Sequence, residues 1–221
     1  MAEVTIEIDG KKITAKEGRR LLHVALEAGI YIPHLCADED LGHHPASCRL
    51  CFVEIEGMPV PVTSCTEKVR EGMKVTTRSE RVDRLVAAGF ELLMSVHHLE
   101  CAKCAANKKC ELQKIARERK VSLKPKRVKK ILPEYEVDES REDIGMDPNR
   151  CVLCGKCVHI CNEVVGSRIL DFMDRGLSTT VGTFDGAPLS EHDCNGCEKC
   201  VKACPVGALY FIKDKPAVKG E

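Results

Sequence analysis

Fifteen cysteines fall into four groups along a chain of 221 residues. Cys36, Cys48, Cys51 and Cys65 form the first. Cys101, Cys104 and Cys110 form the second, with His97 and His98 just upstream. Cys151, Cys154, Cys157 and Cys161 form the third, and Cys194, Cys197, Cys200 and Cys204 the fourth, with Pro205 directly after it. Two chemistries use so many sulfurs, a disulfide scaffold or thiolate–metal sites. Disulfides need an oxidising compartment and so an export signal. The opening MAEVTIEIDGKK has no charged region followed by an apolar stretch, so none is expected. An odd cysteine count also fits a closed disulfide set poorly. The sulfurs are therefore read as metal ligands in a reducing, cytoplasmic setting. Fifteen thiolates and one histidine make sixteen ligands, four sets of four.

The spacings narrow the metal. Cys151-x2-Cys154-x2-Cys157-x3-Cys161 is echoed by Cys194-x2-Cys197-x2-Cys200-x3-Cys204-Pro205. Three thiolates on one tight loop reach three corners of an iron–sulfur cubane, and the fourth must come from elsewhere. In two-cluster ferredoxins the last cysteine of each run ligates the other cluster. That rule predicts Cys151, Cys154, Cys157 and Cys204 around one [4Fe–4S] centre, and Cys161, Cys194, Cys197 and Cys200 around another. Asn162 stands where a proline would follow Cys161, so the pattern is an elaborated one. A zinc ribbon uses two CxxC knuckles per ion and would leave thiolates over. Cys36-x11-Cys48-x2-Cys51-x13-Cys65 has a wider first gap than plant-type [2Fe–2S] ferredoxins but the same logic of a long wrapping loop. The second group supplies only three thiolates. A histidine can complete it, and the residues alone leave His97 and His98 open. Imidazole in place of thiolate makes a centre less negative and, by analogy with Rieske centres, raises its potential. The other histidines, His23, His34, His43, His44, His159 and His192, are read as ordinary structural or surface residues.

An α+β chain must position these ligands. VTIEI and KKITA alternate around Asp9-Gly10 and predict a hairpin. Leu21, Leu22, Ala25 and Leu26 share one helical face, ended by Gly29. CFVEIEG, VPVTSC and MKVTT add short strands, so residues 1–78 read as a β-grasp domain. Ser79 caps the next helix, with Val82, Leu85, Val86, Leu93 and Val96 at helical spacing. That helix and a short one near 110–119 make a small helical domain over 79–120. Residues 121–144 read as a charged linker. The stretch 113–130 holds nine basic residues against one acid, and 134–143 six acids against one arginine. Residues 145–213 form the two-cluster domain, with LYFIKD as a strand, and 214–221 a tail.

Together these residues resemble the N-terminal iron–sulfur region of iron-only hydrogenases and of the large iron–sulfur subunit of respiratory complex I. The pattern is most similar to the small iron–sulfur (diaphorase-module) subunit of NAD(P)-linked nickel–iron hydrogenases, including electron-bifurcating ones. The resemblance covers roughly residues 3–213 and all sixteen ligands. It implies one [2Fe–2S] and three [4Fe–4S] clusters. It also singles out His97, four positions before Cys101, as the histidine ligand. It implies an electron conduit between a flavin- and NAD(P)-binding subunit and hydrogenase small and large subunits, or soluble ferredoxin, with no catalytic residue of its own. The same role in a formate dehydrogenase or a complex I-like NADH dehydrogenase is the alternative, and a zinc-bound interaction protein a remote one. The sequence ends soon after Cys204, so no hydrogen-activating or pterin domain is expected. No glycine-rich dinucleotide loop follows a strand, and there is no P-loop. With 34 basic and 34 acidic side chains the chain has no excess for nucleic acid. No apolar run is long enough for a membrane helix.

Overall fold

Asp9 and Gly10, both at positive φ (51° and 81°), turn strand β1 (Glu3–Ile8) into β2 (Lys11–Lys16). Their register runs from Glu3 opposite Lys16 to Ile8 opposite Lys11. Alternation places Val4, Ile6 and Ile8 on the buried face. Helix α1 (Leu21–Glu27) buries Leu21, Leu22, Val24 and Ala25 against it, and Gly29 follows at φ 77°. Strands β3 (Phe52–Ile55), β4 (Val62–Thr63) and β5 (Lys74–Thr76) complete a sheet of order β2-β1-β5-β3-β4. β5 lies parallel to β1 and antiparallel to β3. A mixed sheet with its central parallel pair and one packed helix is β-grasp topology.

The computed structural model describes residues 2–132 and 134–216. The chain divides into two compact units, Met1–Phe90 and Glu91–Glu221. Residues 217–221 of the expected tail lie outside the described residues.

Helix α2 (Glu80–Ser95) begins where expected: Ser79 Oγ accepts from Val82 N at 3.2 Å, and its carbonyl from Asp83 N at 2.8 Å. Its buried apolar positions are Val82, Val86, Phe90 and Met94, an i,i+4 ladder, while Leu85, Leu93 and Val96 are only half-buried. Val82 and Val86 are buried as the spacing predicts, while Phe90 and Met94 take the buried places expected of Leu93 and Val96.

In the second unit, Cys110 precedes α3 (Glu111–Arg119), which buries Leu112 and Ile115. Among its described residues, the stretch expected as a connector carries no helix or strand until β6 (Ile144–Met146), yet its acidic half is anchored. Tyr135 N and O bond the Asn149 side chain at 2.8 Å, Asp138 accepts from Leu189 N at 2.7 Å, and Glu139 takes Tyr210 and Lys215. Helix α4 (Lys156–His159) continues into a π-helical turn, Ile160–Val164, that carries Cys161. A hairpin, β7 (Leu170–Met173) and β8 (Thr180–Thr183), occupies the gap between the two cysteine runs. Helix α5 (Lys199–Ala203) then leads to β9 (Leu209–Phe211), which pairs antiparallel with β6. The core between them holds Ile144, Val158, Ile169, Val181, Val201 and Leu209, with the cysteines around it.

Candidate metal centres

In the first unit, strand register brings the ligands together. Phe52 pairs with Thr63, so Cys51, just before β3, meets Ser64 and Cys65, just after β4. Ser64 donates from both N and Oγ to the Cys51 carbonyl at 2.9 Å. Cys36 and Cys48 arrive on the 36–51 loop with their Sγ atoms 3.5 Å apart. All four cysteines are buried. The hydrogen bond with Cys48 holds the Cys36 thiol well below its ordinary range, against the effect of burial. Cys48 is pushed up, first by that bond and then by burial. Cys65 and Cys51 repeat the pattern, lowered and raised respectively by the bond they share. In each pair one thiol is thus held down and its partner up, and metal binding would displace protons from such a set.

Helix α2 clamps this loop. A Cβ at Gly89 would sit 2.7 Å from the Arg49 carbonyl oxygen, and Arg49 itself has φ 52°. Alanine is the better helix former by about 1 kcal/mol, so propensity alone predicts that Gly89→Ala stabilises. The contact reverses the sign: the substitution is expected to destabilise by roughly 1–3 kcal/mol. A lower thermal midpoint by circular dichroism is the expected result, and a higher one would remove the clamp.

In the second unit the two triplet loops share one backbone signature. Leu153 and Gly155 have φ of 51° and 76°, and Gly196 and Glu198 have 65° and 59°, at the same two offsets from Cys151 and Cys194. These left-handed steps, costing about 1–2 kcal/mol at Leu153 and at Glu198, curl three thiols toward one side. Cys151, Cys154, Cys157 and Cys204 line one cavity. Cys161, Cys194, Cys197 and Cys200 line another. Cys204 therefore borders the cavity of the earlier run and Cys161 that of the later one. The π-helical turn aims Cys161 this way, and its Sγ accepts from Ile169 N at 3.2 Å and Leu170 N at 3.5 Å.

A third cavity is lined by His97, His98, Cys101, Cys104 and Cys110. Both candidate histidines reach it, and they differ in burial. His97 is 7% exposed, and its Nδ1 is buried with no hydrogen-bond partner. Burial first, then the Arg150 charge, holds the His97 ring down at about 4, so it is neutral and able to ligate at pH 7. His98 is less buried, and its N donates to the Asn149 carbonyl at 3.1 Å.

Among the described residues no three His, Cys, Asp or Glu side chains converge on a point that would hold a single ion. The donors instead ring cavities. Burial is the first cause that pushes Cys151 and Cys200 up to about 12 and raises Cys110, Cys157 and Cys204 as well. Four thiolates in so apolar a wall need a compact cationic core to hold them ionised, and an iron–sulfur core supplies one. The donor sets fit that group.

Gly207 was not marked by any local motif. A Cβ there would lie 2.3 Å from Cys104 Sγ. Gly207→Ala is therefore expected to displace Cys104 and deplete metal from this set alone. Iron content lowered by about four per chain, with the other centres' spectra unchanged, is the expected result; full retention would show that Cys104 has room to move.

Residues 1–80 match a 2Fe-2S iron-sulfur cluster binding domain. Residues 88–123 match the NADH-ubiquinone oxidoreductase-G iron-sulfur binding region. Residues 142–210 match the ferredoxin-like domain of NADH-quinone oxidoreductase subunit 3. A chain in the crystal structure of an NAD+-reducing [NiFe]-hydrogenase in the H2-reduced state superposes with a TM-score of 0.86 at 31% identity, covering 98% of this chain and 91% of that one. The chain belongs to the iron–sulfur family shared by NAD(P)-linked hydrogenases and NADH-quinone oxidoreductases. Family members include the NADPH-Fe(3+) oxidoreductase subunit alpha of Geobacter sulfurreducens, 39% identical over 93% of this chain and 24% of that protein. Another is the NADP-reducing hydrogenase subunit HndD of Solidesulfovibrio fructosivorans, 34% identical over 95% of this chain and 36% of its own length. The chain thus spans between a quarter and somewhat over a third of these curated relatives. It carries 2Fe–2S and 4Fe–4S binding domains of this family. Among the described residues, no helix is long and apolar enough to cross a membrane.

Proposed function

We propose that this chain is an electron conduit holding one [2Fe–2S] and three [4Fe–4S] clusters. Cys36, Cys48, Cys51 and Cys65 hold the [2Fe–2S] centre. His97, Cys101, Cys104 and Cys110 hold one [4Fe–4S] centre. Cys151, Cys154, Cys157 and Cys204 hold the second, and Cys161, Cys194, Cys197 and Cys200 the third. Bound clusters supply one-electron redox sites. The chain's own residues fix the sulfurs, keep His97 neutral, and exclude water with the Ile, Val and Leu side chains of the cavity walls.

The observation that carries the reading is that eleven cysteines line three cavities, four in each of two and three in the third, where His97 and His98 stand beside them. Likeness along nearly the whole chain to a chain of an NAD+-reducing hydrogenase supports the partners: a flavin- and NAD(P)-binding subunit on one side, hydrogenase small and large subunits on the other. Soluble ferredoxin, and with it electron bifurcation, extends the same scheme. The matches named for NADH-quinone oxidoreductase favour the second reading, the same conduit in a complex I-like dehydrogenase. Anaerobic affinity purification from the native cell, with identification of co-purifying subunits, separates the two. The isolated chain should be reducible but turn over neither hydrogen nor NADH; turnover by the chain alone would overturn the conduit reading.

A further inference from the structure

The three cavities of the second unit differ in what their walls carry. Beside their cysteines, the two between β6 and β9 are bordered chiefly by aliphatic side chains such as Val181, Val206 and Leu209 in one and Ile160, Ile169 and Leu189 in the other. Arg141, whose charge acts on Cys194 and Cys200 of the latter, lies outside its wall, paired with Asp143 at 2.8 and 2.9 Å. The cavity at His97 has a cation in the wall itself, Arg150.

Arg150 is held there by several contacts. Its side chain is 13% exposed and pairs with Asp147 at 3.0 Å. Nη1 donates to the Lys103 carbonyl at 3.4 Å, and Glu100 lies 4.0 Å away. The next residue is Cys151. Asp147 is itself fixed, accepting from Asn149 N at 3.1 Å and Nδ2 at 3.0 Å. Asp147 is not part of the cavity wall, whereas Arg150 is, so the ion pair turns its positive end inward. Glu100 does line the cavity, but its side chain is 57% exposed and solvent screens it. A guanidinium remains charged at any ordinary pH, and in a poorly screened wall its field reaches the cavity's contents. Adding one electron to a group there makes it more negative, and the fixed cation favours that state.

We propose that Arg150 sets the reduction potential of the centre at His97, holding it above the value its ligands alone would give. This rests on the cluster reading above.

The test is a redox titration of the anaerobically purified full chain, with dithionite as reductant and the centres followed by electron paramagnetic resonance. Arg150→Gln should disfavour reduction of this centre about tenfold, a fall of about 59 mV for a one-electron couple. The [2Fe–2S] centre and that of Cys161, Cys194, Cys197 and Cys200 should stay put. Arg150→Lys, which keeps the charge, should recover most of the shift. An unchanged potential in an Arg150→Gln chain that retains the centre overturns the assignment. Where Arg150→Gln loses the centre, Asp147→Asn decides, since it leaves the guanidinium and removes the poorly screened carboxylate paired with it at 3.0 Å: a higher potential supports the proposal and no shift overturns it. Wild-type iron short by about four per chain, with no signal to titrate, would instead sink the cluster reading at His97.

Discussion

His97→Ala should remove one [4Fe–4S] centre and leave the other three. Iron and acid-labile sulfide should each fall from about 14 to about 10 per chain. The neighbouring His98 borders the same cavity, so the substitution also asks whether it can take over. Burial argues that it does not: His97 is 7% exposed with an orphaned ring nitrogen, while His98 is less buried. A buried polar atom without a partner costs on the order of 1–3 kcal/mol, which a bound metal would recover. His97→Cys should keep the centre at a lower potential, because thiolate adds negative charge that imidazole does not. Four intact centres in His97→Ala, counted by electron paramagnetic resonance and iron analysis, would move the ligand to His98 or to no histidine.

Cys204→Ala and Cys161→Ala should each destroy one cubane, and each the one that proximity in sequence does not suggest. Cys161 is four residues beyond Cys157, yet it lines the cavity of Cys194, Cys197 and Cys200. Cys204 stands four beyond Cys200 and lines the cavity of Cys151, Cys154 and Cys157. Cys204→Ala should therefore lose about four iron from the earlier run and leave the later centre's spectrum intact, with Cys161→Ala giving the converse. The opposite pairing of variant and lost signal would mean that each run closes its own cluster. Either loss should also lower unit stability by several kcal/mol, since metal binding and folding are coupled.

Some of this architecture was legible because its cause is local. Asp9-Gly10 dictates a hairpin, Ser79 a helix start, and the 2-2-3 cysteine spacing a tight ligating loop, each within a few residues. The stripe on α2 was less so: Leu85 and Leu93 are as apolar as Val86, and only packing chooses Phe90 and Met94 for burial. What escaped entirely depends on contacts distant in sequence. The acidic stretch 134–143 looks solvated by composition but is tied through Asp138 to Leu189 and through Glu139 to Tyr210. The segment joining β7 to β8, residues 174–179, carries no strong turn dipeptide. Gly207 and Arg150 each act on a set whose cysteines lie at least 40 positions earlier, so nothing in their own neighbourhoods marked them.

The measurement closest to the central claim is quantitative metal and sulfide analysis of the full chain isolated without oxygen. Clusters at all four ligand sets predict about 14 iron and about 14 acid-labile sulfide per chain, with negligible zinc. A colourless protein rich in zinc and free of sulfide would contradict the account.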